Sequence, residues 1–195
     1  MSTEDIIGEK KTLRSELFQA RAAMSFESRQ AADRIITEKI LQHPAYRQAK
    51  QIFCYVSMPH EVSTRALLSA VLKDGKLLGL PVCDTETCTM TFYRLDALSE
   101  LQAGAYRIPV PPVSEERILL PDADTLMIVP MLSFDADGYR LGAGGGYYDR
   151  YLGQYEIRTL GICYADCRRT QLPHDANDRR LESCITEQKT EDFYG

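Results

Sequence analysis

No apolar run in this chain of 195 residues approaches the roughly 20 that a membrane helix needs. The longest, Leu77–Cys83 and Leu126–Leu132, have the length of strands, and each contains a proline. A membrane span is therefore not expected. The opening residues, Met1-Ser2-Thr3-Glu4-Asp5, carry acids where a secretory signal needs positive charge, and no apolar segment follows, so the expected compartment is the cytoplasm. Basic residues are also in short supply. The 23 Lys and Arg against 28 Asp and Glu leave a formal charge of -5, which argues against a dedicated nucleic-acid binder but leaves room for one locally basic anion site. The six cysteines form no C-x-x-C pair and the three histidines no H-E-x-x-H motif, so the cysteines read as free thiols packed as small hydrophobes.

What is present is an alternation of helical and strand patterns. Leu13, Leu17, Ala20 and Met24 share one face of a helix over residues 9–24. A second helix follows an N-capping Ser25, turns Ala32, Ile35, Ile36, Ile40 and Leu41 inward, and stops before Pro44. Residues 51–58 form a continuous apolar strand. A helix capped by Ser63, with Ala66, Leu67, Ala70 and Val71 inward, then leads to a strand over 77–82, which makes a right-handed βαβ unit. Further strands are expected over 90–95, 125–134, 158–164 and 184–186, a short helical turn over 98–105, and a helix over 147–152 stopped by Gly153. The order predicts one α/β domain spanning 1–195, with three α/β/α layers around a mostly parallel, doubly wound sheet that allows an antiparallel edge strand.

The segment richest in chemical information is Gly138-Tyr-Arg-Leu-Gly-Ala-Gly-Gly-Gly-Tyr-Tyr-Asp-Arg, placed between a buried strand and a helix. Ligands of open α/β sheets collect at the carboxyl ends of strands. Four glycines within residues 142–146 let several backbone N–H groups turn toward one anion at a helix start, which reads as a phosphate cradle. The segment matches neither a Walker A loop nor the dinucleotide fingerprint, so a tight structural loop stands as an equal alternative. Asp149 is placed to hold a magnesium ion against bound phosphates, or simply to favour the first turn of the helix. Arg140 could neutralise phosphate or pair with a surface acid. Lys10, Lys11 and Arg14 read as a solvated helix face, Glu61 as an acid just past the first strand, and Asp135-Ala-Asp-Gly as a turn rather than a calcium loop.

Taken together, Arg140-Leu-Gly-Ala-Gly-Gly-Gly-Tyr-Tyr-Asp-Arg after Val129-Pro-Met-Leu-Ser-Phe-Asp resembles the 5-formyltetrahydrofolate cyclo-ligase family. Lys10-Lys-Thr-Leu-Arg14, Ser57-Met58 with Glu61, Met90 with Phe92, Ile108-Pro-Val-Pro, and Leu172-Pro with Asp178 follow in family order over nearly the whole chain. The resemblance implies ATP- and magnesium-dependent closure of 5-formyltetrahydrofolate to 5,10-methenyltetrahydrofolate, with ADP and phosphate released through a phosphorylated formyl intermediate. It implies that Lys10, Lys11, Arg14, Arg140, Gly142, Gly144, Gly145, Gly146, Tyr147 and Tyr148 bind ATP. Val56, Met58, Glu61, Gly145, Tyr147 and Tyr148 would line the folate pocket, Asp149 and Asp178 would serve Mg2+, and Arg140 and Tyr148 would act in catalysis. Two positions depart from the pattern: Gly145 stands where some members carry lysine, and Glu182 where aspartate is common. The expected partners are ATP and 5-formyltetrahydrofolate, with no nucleic acid or membrane, and the expected state is a monomer. The alternatives are another magnesium-dependent kinase or ligase on the same scaffold, and a module that binds nucleotide or folate without turnover.

Overall fold

The computed structural model describes residues 3–104 and 108–193. Its elements are α1 (Thr3–Ala23), α2 (Phe26–Gln42), α3 (Pro44–Gln48), β1 (Gln51–Phe53), α4 (Arg65–Lys73), β2 (Leu77–Asp84), β3 (Thr89–Arg94), β4 (Gln102–Ala103) and β5 (Pro109–Val110). Then come β6 (Ile118–Leu119), β7 (Thr125–Pro130), β8 (Ser133–Phe134), β9 (Arg140–Leu141), α5 (Tyr147–Leu152), β10 (Arg158–Ile162), β11 (Ser183–Ile185) and β12 (Thr190–Asp192). The main sheet runs β12-β11-β10-β7-β1-β2-β3-β6. Its five inner strands, β11 to β2, are parallel, whereas β12 pairs antiparallel on one side and β3 and β6 on the other. The mostly parallel sheet agrees with expectation, but antiparallel strands close both edges rather than one. The physical reason is loop length. The short connections β2–β3 and β11–β12 permit only hairpins, while parallel pairing needs a crossover.

From β1 the chain crosses through α4 to β2 on one side, and from β7 it crosses through α5 to β10 on the other. Right-handed crossovers in opposite directions place α4 and α5 on opposite faces, which makes the three layers. On the α5 face, Phe53 and Phe92 stack at 4.1 Å across β2, and Tyr151 of α5 meets both edge-on. Gly79 of β2 makes this possible, since a Cβ there would come within 2.6 Å of the Phe53 ring. Buried side chains from all these layers form one apolar cluster that reaches from Leu17 of α1 to Ile185 of β11. Among the described residues, no helix is long and apolar enough to cross a membrane.

Several local expectations change. The first helix begins at Thr3, and its inward stripe holds Arg21 instead of Ala20, which is exposed. Ser25 caps α2 as expected, accepting from the Ser28 N–H at 3.1 Å. Ser63 does not cap α4; the N-cap is Thr64, whose hydroxyl donates instead to the Tyr55 carbonyl, and Leu67, Leu68 and Val71 face inward while Ala66 is exposed. Only residues 51–53 of the 51–58 run pair in the sheet, because the chain then passes beyond its carboxyl edge. The 125–134 run divides at Met131–Leu132 into β7 and β8. In the 98–105 segment only Leu98–Glu100 turn helically, and Ala105 lies outside the described residues. Tyr147–Leu152 with Gly153 is as expected.

Candidate active site

The direction of winding reverses between β1 and β7, and the crevice beyond the carboxyl ends at such a reversal is where α/β sheets hold ligands. Two long segments leave the sheet there: residues 54–64 after β1, and 131–146 after β7. The second folds as the hairpin β8–β9, whose Asp135-Ala-Asp-Gly turn is structural. Asp135 is fully buried, and its carboxylate accepts from the N–H groups of Asp137, Tyr139 and Leu172. β9 then delivers the glycine loop.

In that loop Gly144 and Gly146 have φ of +112° and +66°, where only glycine is unstrained. Helix α1 lies over it. Arg14 Nε donates to the Gly142 carbonyl at 2.9 Å, and its guanidinium is so close to Gly144 that a Cβ there would sit 3.4 Å away. One turn earlier, Lys10 Nζ pairs with Asp178 at 2.5 Å and faces Asp175 at 3.7 Å. The solvated-face reading therefore fails for Lys10 and Arg14, while Lys11 is exposed. Arg150 supports the loop from behind, donating to the Gly145 carbonyl at 2.6 Å and to that of Cys88 at 2.8 Å.

Arg140 is almost fully buried, and both of its η nitrogens bind protein acceptors. One donates to Asp149 Oδ1 at 2.9 Å and the other to the Arg179 carbonyl at 2.7 Å. Asp149 Oδ1 also accepts the Arg179 N–H at 3.0 Å. Asp149 and Asp178, 29 positions apart in the chain, are thus tied to one stretch of the tail. Among the described residues no donor reaches Oδ2 of Asp149 or Oδ1 of Asp178. Magnesium is commonly held by one or two carboxylates with phosphate oxygens and water completing its shell. The two acids fit that donor set. Among the described residues there is no cluster of three or more His, Cys, Asp or Glu side chains placed to hold a metal ion.

On the β1 side, Met58-Pro59-His60-Glu61 makes a turn closed by the Glu61 N–H donating to the Met58 carbonyl at 3.1 Å. Pro59 followed by His60 at φ +70° gives the φ pattern of a type II turn, with histidine where glycine is the usual residue. That conformation costs on the order of 1–2 kcal/mol. Glu61 Oε2 accepts the Met58 N–H at 2.7 Å, and burial pushes the Glu61 carboxyl above its ordinary value, opposed by that hydrogen bond and by the positive charge of Arg21. Val56 is half-buried and Met58 exposed. Burial also holds the Tyr148 hydroxyl well above its ordinary value, with Cys54, Cys83 and Glu61 adding to the rise, so it stays protonated as a donor beside the β1 segment. Tyr147 lies under the Arg150 guanidinium at 5.2 Å, near Cys83 and Cys88 at the β2–β3 turn.

Several contributors carried no motif. Arg21 lies fully buried on the inward stripe of α1 and donates from Nη2 to the carbonyls of Met131 at 2.5 Å and Leu132 at 3.0 Å, which fastens α1 to the segment after β7. Its signal was an arginine at a core position of an amphipathic helix. Asp175 and Arg179 left no such trace. An open groove of about 940 Å³ lies elsewhere, at the amino ends of β7, β10 and β11 beside Leu126, Thr159 and Ser183; of the expected site residues only Asp178 borders it.

A family model described as the 5-formyltetrahydrofolate cyclo-ligase family matches residues 6–187. The 5-formyltetrahydrofolate cyclo-ligase of Mus musculus is 31% identical over 199 residues, covering 96% of this chain and 98% of the mouse protein. That of Escherichia coli K12 is 28% identical over 175 residues, covering 88% and 96%. The NMR structure of Aquifex aeolicus 5,10-methenyltetrahydrofolate synthetase superposes with a TM-score of 0.84 at 30% identity, over 95% of this chain and 93% of that one.

Proposed function

The chain belongs to the 5-formyltetrahydrofolate cyclo-ligase family and is an enzyme that converts 5-formyltetrahydrofolate to 5,10-methenyltetrahydrofolate with ATP; from that premise we propose how its residues divide the work. The observation that carries the assignment of roles is that Arg14 of α1 binds the glycine loop while Lys10, one turn earlier, pairs with Asp178 in the tail stretch whose Arg179 N–H is held by Asp149. Charge of both signs gathered there suits a magnesium–triphosphate.

An amide oxygen is a poor leaving group, so the formyl oxygen must be activated. The γ-phosphoryl of ATP passes to that oxygen, ADP leaves, N10 attacks the formyl carbon and loses its proton, and phosphate departs as the C–O bond breaks. The transition states need positioning and charge neutralisation rather than a protein nucleophile. In this reading the N–H groups of residues 142–146 cradle the phosphates, and Lys10 and Arg14 neutralise them. Asp149 and Asp178 would hold Mg2+, which would supply neutralisation of the phosphate charge. Arg140 sets Asp149 in place, and the Tyr148 hydroxyl donates to the reacting formyl group. Val56, Met58, Glu61, Gly145 and Tyr147 border the folate. Residues 1–195 work as one cyclo-ligase domain in the cytoplasm, as a monomer.

Purified protein with 5-formyltetrahydrofolate and MgATP is expected to develop the near-ultraviolet absorbance of the conjugated methenyl product. Folded protein giving no ATP-dependent signal would refute the reading. Arg14→Ala should raise the KM for ATP about tenfold, or about 1.4 kcal/mol of binding, with a smaller change in kcat. An unchanged KM would return Arg14 to a structural role.

Glu61 gives a test with a sign. A carboxyl raised by burial contributes stability fully below the ordinary carboxylate range, and that contribution is lost as the pH rises through the raised value. At neutral pH the ionised group is thus a net cost. Glu61→Gln should raise Tm at pH 7 by about 2 °C, lose that gain near pH 4, and raise the KM for 5-formyltetrahydrofolate. A Tm difference that persists at pH 4 would contradict this origin.

A further inference from the structure

The Met58–Glu61 turn, with His60 in a left-handed conformation, is held from outside. Arg29 of α2 reaches His60 Nδ1 at 2.5 Å; because a guanidinium only donates, Nδ1 must be the acceptor. One helical turn on, Asp33 Oδ1 accepts the Ser63 N–H at 3.1 Å, and the Tyr164 hydroxyl lies 2.8 Å from the same oxygen. That hydroxyl is also 3.1 Å from the Glu61 carbonyl oxygen, so its proton ties the turn to Asp33. Tyr164, just beyond β10, is fully buried, with the Arg21 guanidinium 5.6 Å over its ring. The far end of the segment is fixed separately, by Ser57 and Thr64 exchanging side-chain-to-backbone hydrogen bonds at 3.1 and 3.2 Å. Arg29 and Tyr164 hold the turn directly, and Asp33 holds Tyr164 and the Ser63 N–H just after it. Backbone strain at a ligand-facing turn persists where the surroundings over-determine it, and here three side chains from two distant elements do so.

We infer that Arg29, Asp33 and Tyr164 are positioning residues for the folate: they hold the Met58–Glu61 turn in the form that presents Glu61 and Met58 to the substrate. The inference rests on the reading of Glu61 as a folate contact. None of the three touches the glycine loop, so their effect should fall on folate affinity and spare ATP.

The test is steady-state kinetics of full-length variants with each substrate varied in turn. Asp33→Ala should raise the KM for 5-formyltetrahydrofolate about tenfold, which corresponds to about 1.4 kcal/mol, with kcat and the KM for ATP within about twofold of the parent. Asp33→Asn keeps an acceptor for the Ser63 N–H and for Tyr164, and should stay within about threefold. Adding His60→Gly to Asp33→Ala removes the strain that needs holding, and should recover most of the folate KM; a general packing defect would not be rescued this way. If Asp33→Ala fails to fold, Tyr164→Phe, which deletes one hydroxyl, should show the same selective rise. An unchanged folate KM in Asp33→Ala or Tyr164→Phe, or an equal rise for ATP, would overturn the inference. Glu61→Gln separates the two levels: if it leaves the folate KM unchanged, the folate reading fails and the inference with it. A response from Glu61→Gln without one from Asp33→Ala or Tyr164→Phe refutes the positioning alone.

Discussion

Arg140→Ala is expected to lower kcat/KM by about 10³-fold, or about 4 kcal/mol, and to destabilise the fold by about 3–5 kcal/mol. The guanidinium is 3% exposed and bonds to Asp149 at 2.9 Å and to the Arg179 carbonyl at 2.7 Å. Deleting it strands a half-buried carboxylate and a carbonyl at once, and it releases the tail that carries Asp178. Arg140→Lys keeps the charge, but a single ammonium cannot reproduce two fixed donors, so it should recover stability better than activity. Urea unfolding read beside kcat/KM checks both. A variant with normal kinetics would show that Asp149 needs no such support.

Asp149→Asn should have the second largest effect. The amide oxygen can still accept from Arg140 and from the Arg179 N–H, so the fold should survive. What is lost is the negative charge facing Mg2+. We expect kcat/KM to fall about 100-fold and the Mg2+ concentration for half-maximal rate to rise at least about tenfold. Titrating Mg2+ at fixed ATP measures this, and a parental Mg2+ profile would remove Asp149 from the metal site.

The parts of the fold that could be read in advance were those written in local pattern. The β1–α4–β2 unit was legible because Ile52-Phe53 and Leu78-Gly79-Leu80 are apolar runs separated by an amphipathic helix. α5 was legible to the residue because Gly146 and Gly153 bracket it. The edges of the sheet were not, since antiparallel β3, β6 and β12 depend on which neighbours remain free, a property of the assembled sheet. The site divided in the same way. The glycine loop announces itself, but spacing alone left it balanced between a phosphate cradle and a tight turn. The resemblance to a family assigned roles to Lys10, Arg14 and Asp178, and the fold supplied the geometry that joins them across more than a hundred residues. Asp33 and Tyr164 carried no readable role, because each acts through a partner distant in sequence.

The central claim is that this site exists to move a phosphoryl group onto the formyl oxygen. Turnover of 5-formyltetrahydrofolate labelled with ¹⁸O in the formyl group, with ³¹P NMR of the released phosphate, tests it most directly. Inorganic phosphate carrying one ¹⁸O per methenyl product formed is the expected result. Unlabelled phosphate, with the label lost to water, would contradict it.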